Sequence, residues 1–224
     1  MIDINYVNRG KIVKKSMWIR LIIAVLAQII LAMGIALLIK AGIGLGPVDA
    51  FNASLSQLTG ITVGTMSILF NTFFIIGQIF VWRKNFAPIQ YLQIPVTVIL
   101  GRMIDFFLIY VLIFDTSSYL ISVIIFVLGL IIMSFSVGII NTSQVIYSPL
   151  EGFCLALESV TSLKFVQYRW GADILLIICS FLFVTMGADN VLREGTIAVM
   201  VLFSPILNYF MEQQIAWFNK AGLI

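Results

Sequence analysis

The sequence predicts an all-α membrane protein with six transmembrane helices and two short helices, re-entrant or interfacial, arranged as two inverted-topology repeats. Three observations carry that prediction. Hydrophobic residues make up 61% of the 224 and charged residues only 10%, where soluble domains carry roughly 25% charged residues. The apolar residues fall in long runs, and a helix rising about 1.5 Å per residue needs roughly 20 of them to cross a hydrocarbon core of about 30 Å. The chain also resembles itself at an offset of about 102 residues.

The first run extends from about Met17 to Ile39, opened by Trp18 at the interface, and ends in the stretch Lys40 to Pro47. The glycines and proline there do not readily continue a helix. A short helix is expected from Val48 to Leu58, before Thr59 and Gly60, and that length falls short of a span. The second span runs from about Thr62 to Val81 and stops at Trp82-Arg83-Lys84-Asn85. The third runs from about Ile89 to Phe114, interrupted by Pro95 and carrying Arg102 and Asp105. After the polar turn Asp115 to Ser118 the fourth covers about Tyr119 to Ile140. Ser148-Pro149-Leu150-Glu151 opens a second short helix, to about Val160. The fifth span covers about Phe165 to Met186, and the sixth about Gly195 to Phe218, with Pro205 and Asn208 inside it.

With the N-terminus in the cytoplasm and both short helices returning to their own side, Arg9, Lys11, Lys14, Lys15, Arg20, Arg83, Lys84, Lys164, Arg169 and Lys220 face the cytoplasm. Lys40 and Arg193 face outward. That distribution obeys the positive-inside rule. The first apolar run is longer than the core of a cleavable signal, and no small-residue cleavage site follows it.

The repeat rests on residues that are rare in spans. Gly46-Pro47-Val48-Asp49-Ala50-Phe51 matches Ser148-Pro149-Leu150-Glu151-Gly152-Phe153, and Asn71 falls opposite Asp173. With a one-residue slip, Gly101, Asp105, Phe106 and Phe107 match Ser204, Asn208, Tyr209 and Phe210. The expected organisation is a basic cytoplasmic segment at 1–16, a first repeat at 17–115 with its short helix at 47–59, a second at 116–218 with its short helix at 149–161, and a cytoplasmic tail at 219–224. Three crossings per copy place the second copy upside down relative to the first, a pattern that serves alternating access in transporters.

Each short helix starts at a proline, whose missing N–H costs nothing at the first helical position. The free N–H groups and positive dipole end there attract anions or polar substrate groups. The same residues also read as plain helix caps: Ser148 with Glu151 has the capping-box pattern, and Asp49 sits in a first turn. Ionisable groups within spans are expensive and mark candidate sites. Asp173 lies four residues after Arg169, the spacing of a helix ion pair. Arg102 and Asp105, three apart, are expected to form an intramembrane ion pair. Asn71, Asn208, Gln28 and Gln78 suit interhelical hydrogen bonds.

Several chemistries are disfavoured. The chain has no histidine, which removes the commonest general base and metal ligand. Cys154 and Cys179 lie in apolar stretches and read as buried hydrophobes without a metal-ligand pattern or disulfide framework. No phosphate-binding Gly-x-x-x-x-Gly-Lys-[Ser/Thr] loop occurs. The expectation is therefore no enzyme, no cofactor, no metal and no nucleic acid partner. The net charge of +3 is gathered near the N-terminus, as suits a membrane-surface anchor.

Gly42 to Asp49, Leu55-Ser-x-x-Thr-Gly-Ile-Thr-x-Gly64 and Ser204-Pro-x-x-Asn-Tyr-Phe210 together make the chain similar to the YczE/YitT group of bacterial membrane proteins, from about Leu21 to Phe210. Arg102 stands where a proline is expected at that repeat position. The resemblance implies a bacterial cytoplasmic-membrane location, multi-pass, with both termini inside. The residues suggest a secondary-transporter-like protein for a small polar or anionic solute, with Asp49, Asn71, Glu151 and Asp173 lining a site between the repeats and Gly46, Pro47, Ser148 and Pro149 forming the short-helix turns. Two alternatives stay open: a substrate-binding membrane subunit of an ATP-driven importer, docking through Ala32-x-x-x-Ala36, and a non-transporting membrane partner or assembly protein. Partners expected beside the bilayer are an unknown small solute and a homo-oligomer or membrane protein partner.

Overall fold

The structure, a computed structural model, describes residues 14–114 and 118–224. The residues Arg9 and Lys11 of the basic segment and most of the 115–118 turn lie outside the described residues. Among the described residues eight α-helices follow in order: α1 Lys14–Ala41, α2 Pro47–Thr59, α3 Val63–Trp82, α4 Gln93–Phe106, α5 Tyr119–Ser143, α6 Pro149–Val160, α7 Phe165–Thr185 and α8 Glu194–Lys220. Six helical stretches are long and apolar enough to cross a membrane, and the third of these runs from Pro88 to Val111 around α4. It opens in a 3₁₀ turn, Pro88–Leu92, and closes in a π-helical turn, Phe107–Val111. Pro95 falls in the first turn of α4, where a backbone N–H has no intrahelical acceptor. It therefore does not interrupt the span.

The core is the α1–α5 pair, with α4 against α1 and α8 against α5. Small residues let the first two helices approach: a Cβ on Gly34 would meet the Met133 backbone nitrogen at 2.8 Å, and one on Gly129 would meet the Gly34 carbonyl at 3.0 Å. Close backbone approach of this kind substitutes for the hydrophobic drive that lipid does not supply. Ala32 and Ala36 are fully buried in this core. The small-residue face expected to dock an ATPase is thus already occupied by the chain itself.

α3 and α4 meet most closely at Gly64 and Gly101, where each carbonyl fills the space a Cβ on the other residue would need. Asp105 seals the same contact. Its Oδ1 accepts from the Gly64 N–H at 2.8 Å and its Oδ2 from the Thr62 hydroxyl at 2.7 Å. The expected Arg102–Asp105 ion pair is accordingly not formed. Asp105 is buried and turned to the start of α3, while Arg102 is exposed, because an unpaired N–H at a helix start competes well for a carboxylate three residues from the arginine.

The short helices α2 and α6 pack crosswise between halves, α2 on α7 and α6 on α3. α2 starts inside the bundle, where the Leu45 N–H donates to Thr196 Oγ1 at 3.3 Å. It runs back to the end where Gln57 Oε1 accepts from the Asp189 N–H at 2.7 Å. Its lead-in needs Gly44, with φ +136° and no room for a Cβ beside Gly195. α6 also starts inside, with Pro149 O accepting from Gln78 Nε2 at 2.8 Å, and returns to the opposite end, where Trp82 Nε1 donates to Ser159 Oγ at 3.1 Å.

Gly64→Val and Gly101→Val should each force α3 and α4 apart, at about 1–3 kcal/mol or more for overpacking. The readout is loss of the monodisperse peak and a lower melting midpoint in detergent. Gly171→Ala, whose Cβ would meet nothing within 4 Å, should leave both unchanged.

Candidate functional site

The starts of α2 and α6 carry Asp49 and Glu151 in their first turns. Both acids lie in the field of one guanidinium, that of Arg169 on α7, and so does Asp173. Arg169 Nε is 3.2 Å from Asp173 Oδ2, the helix pair expected from the spacing. Asp173 Oδ1 is buried without a hydrogen-bond partner. Three carboxylates thus share the influence of one cation, and Asp173 is the one that contacts it. They do not converge on one point: among the described residues no three acids or cysteines stand close enough to hold a metal ion. Asp49 and Glu151, outside the six spans, are both held above the usual carboxylate range by burial, Asp49 up to about 6, and Arg169 works against that rise.

The walls of this cluster are aromatic and aliphatic. Leu150, Cys154 and Leu176 form a small core with Val48, Phe51, Phe70, Phe74 and Tyr168 packed on it. Phe51 lies 5.2 Å from Phe70 and 5.5 Å from Phe183, and Phe74 lies 5.4 Å from Phe153. Cys154 and Cys179 are free thiols, Cys154 buried as its apolar setting predicted and Cys179 half-buried. The capping box expected at Ser148 is absent, since that side chain makes no cap hydrogen bond, and the first turn of α6 keeps its N–H groups open.

Asn71 does not join the acids. It lines a separate cavity of about 80 Å³ with Gln28, Gln93, Thr97, Asn141 and Ser148, bounded also by Pro149 at the α6 start. Its Nδ2 donates within α3 to Ser67 Oγ at 3.3 Å. The two polar regions meet at the first turn of α6, which contributes Ser148 and Pro149 to the cavity and Glu151 to the Arg169 cluster.

A chain of glutamine amides holds that turn. Gln78 Nε2 and Gln93 Nε2 donate to one another's Oε1 at 3.1 and 3.0 Å, and Gln93 Nε2 also donates to Gln90 Oε1 at 2.8 Å. Gln90 accepts from the Tyr147 N–H at 3.1 Å and donates to Val145 O at 3.3 Å. Gln78 thus makes the interhelical bond its sequence position suggested. Gln90 and Gln93 were not foreseen, although two amides three residues apart at the start of an apolar run lie on one helix face.

Six long apolar helices enclosing a polar interior define a multi-pass helical membrane protein. A family of unknown function, DUF6198, matches residues 18–212, and the chain belongs to it. The chain is similar to "Uncharacterized membrane protein YczE" of Bacillus subtilis (strain 168), 29% identical over 194 residues, 86% of each chain. It is also similar to "Uncharacterized protein YyaS" of the same organism, 27% identical over 184 residues, 82% of this chain and 88% of that one. These relatives agree with the YczE-like resemblance of the sequence. No solved structure matches the chain.

Gln93→Leu should strand the buried amides of Gln78 and Gln90, at about 1–3 kcal/mol for each group left unpaired, and lower the melting midpoint in detergent. Arg169→Gln should leave three carboxylates uncompensated and reduce the folded yield. Adding Asp173→Asn should restore part of that yield, as measured by fluorescence-detected size exclusion.

Proposed function

We propose that this protein is a secondary-transporter-like carrier of a small polar or anionic solute in the bacterial cytoplasmic membrane, with both termini inside. The observation that carries this reading is that the first turns of the two Pro-led helices, which hold Asp49 and Glu151, pack on the same stretch of α7 that carries the Arg169–Asp173 pair. Charged groups placed there are costly and are kept for moving ions or polar solutes. In this reading the carboxylates serve as proton carriers, and the first turn of α6 couples them to the neighbouring cavity.

The inverted repeat at 17–115 and 116–218 belongs to the same proposal. Exchanging the halves turns the α2–α7 packing into α6–α3, α2–α3 into α6–α7, and α1–α4 into α5–α8, and each of these pairs is in contact. The α3–α4 contact has no counterpart of similar extent between α7 and α8. Its glycines explain the difference, because Gly64 and Gly101 correspond to the bulkier Val166 and Ser204. Two similar halves of opposite sense around a central site are suited to alternate exposure by rocking. The basic residues Arg83, Lys84, Lys164 and Lys220 at one end, against Lys40 and Arg193 at the other, support the orientation.

The test is uptake of a pooled small-metabolite mixture into proteoliposomes, read by mass spectrometry of the lumen. At least one solute should accumulate with wild type and fall roughly tenfold with Asp49→Asn and with Asp173→Asn, a loss of about 1.4 kcal/mol. Uptake unaffected by both changes would sink the proposal. The rate should also change between pH 5 and 7, since the Asp49 carboxyl is protonated below about 6 and ionised above it. In Asp49→Asn, whose amide does not titrate, that part of the profile should flatten.

A further inference from the structure

The cavity beside the acid cluster has a chemical character of its own. No charged side chain lines it, yet it is rich in hydrogen-bonding groups that the protein leaves open. Gln28 is 8% exposed, and its Oε1 is buried with no partner. Among the described residues the Asn141 amide and the Thr97 hydroxyl make no hydrogen bond, and only the Nδ2 side of Asn71 is used, toward Ser67. A folded protein rarely leaves several buried polar groups open at one place unless something else satisfies them.

We infer that this cavity is a binding site for a small uncharged solute that both donates and accepts hydrogen bonds, such as a short polyol or a hydroxyamide. This inference rests on the transporter reading and narrows it, choosing the neutral class over the anionic one. Three features exclude an anion. A buried charge without a counter-charge costs several kcal/mol (roughly, after relaxation), and the lining supplies no cation. At α6 the cavity is bordered by Ser148 and by Pro149, which has no N–H to offer an anion, and the first turn already carries the acid Glu151. Arg169 is committed to its ion pair with Asp173, and the buried Arg20 donates to the Ser143 carbonyl and does not line the cavity. A neutral amide or hydroxyl meets Gln28, Asn141, Thr97 and Asn71 without such a penalty.

Size narrows the ligand further. A cavity of about 80 Å³ has room for roughly three waters at about 30 Å³ of liquid volume each, or one solute of a few heavy atoms. Leu31, Val96, Leu100, Val137, Ile140 and Ile146 line its apolar part, so a solute with one carbon face and one hydrogen-bonding face fits better than a fully hydrated one. Ser148 and Pro149 close the cavity at one end. They are held by Gln78 and, through Tyr147 and Val145, by Gln90, so Gln93 belongs both to the cavity wall and to the brace behind it.

The experiment uses the purified full chain in detergent, with lactamide, glycerol and sodium lactate as probes, and follows the thermal unfolding midpoint against probe concentration. Lactamide or glycerol should raise the midpoint saturably and lactate should not. In Gln28→Leu and Thr97→Val the apparent Kd for the neutral probe should weaken roughly three- to tenfold, the value of one lost hydrogen bond. Two results would overturn the inference. One is saturable stabilisation by lactate but not by lactamide or glycerol. The other is no saturable response to any probe, with Thr97→Val itself stabilising, which marks the cavity as a pocket of structural water. Neutral-probe binding that survives without uptake of any solute in proteoliposomes would overturn the transporter reading and leave this site standing. Uptake of only charged solutes, with no neutral-probe binding, would do the reverse.

Discussion

A backbone segment that leaves helical geometry inside a membrane bundle must find protein partners for its N–H and C=O groups, because lipid offers none. Two such segments lead into α2 and α6, and the bundle is organised around satisfying them. The first is held by α8: the Gly195 N–H donates to Ile43 O at 2.8 Å, Thr196 Oγ1 accepts from Leu45, and Arg193 Nη1 donates to Gly42 O at 2.9 Å. The second is held from α3 and the start of the third span, through Gln78 and Gln90. Each lead-in is therefore tied to the half of the chain to which it does not belong.

That cross-bracing decides where charge goes. An acid in the first turn of a helix is favourable beside the positive dipole end, and in a surface helix that would be its whole role. Here both helix starts, with Asp49 and Glu151 in their first turns, pack on the stretch of α7 that carries Arg169 and Asp173. The glutamine brace fixes the lead-in of α6 with neutral amides alone. The region next to the acid cluster stays uncharged as a result, and the cavity forms there.

The six spans and both short helices were legible because their signals are local: uninterrupted apolar length, and glycine or proline where a helix must stop or start. The expected starts at Val48 and after Ser148 agree closely with Pro47 and Pro149. Pairings were less legible. Spacing allowed Arg102 to meet Asp105, but the open Gly64 N–H of another helix took the carboxylate. Arg169 and Asp173 have comparable spacing and do pair. Asn71 and Asp173 fall opposite one another at the 102-residue offset of the sequence, yet one lines the neutral cavity and the other pairs with Arg169. Corresponding sequence positions need not share surroundings once the two halves differ in packing, as they do at Gly64 and Gly101.

By itself, then, the sequence determined the apolar medium its helices require, the number of helices long enough to cross it and the two places where a proline opens a short helix. Hydrophobicity and backbone stereochemistry act over a few residues and are written along the chain. Only the tertiary structure decided which polar groups meet and which remain open. A buried carboxylate or amide takes whichever donor reaches it at the least cost in desolvation, and that donor is often on another helix. The Arg169–Asp173 pair, the brace of Gln78, Gln90 and Gln93, and the unpaired face of Gln28 are all products of that competition.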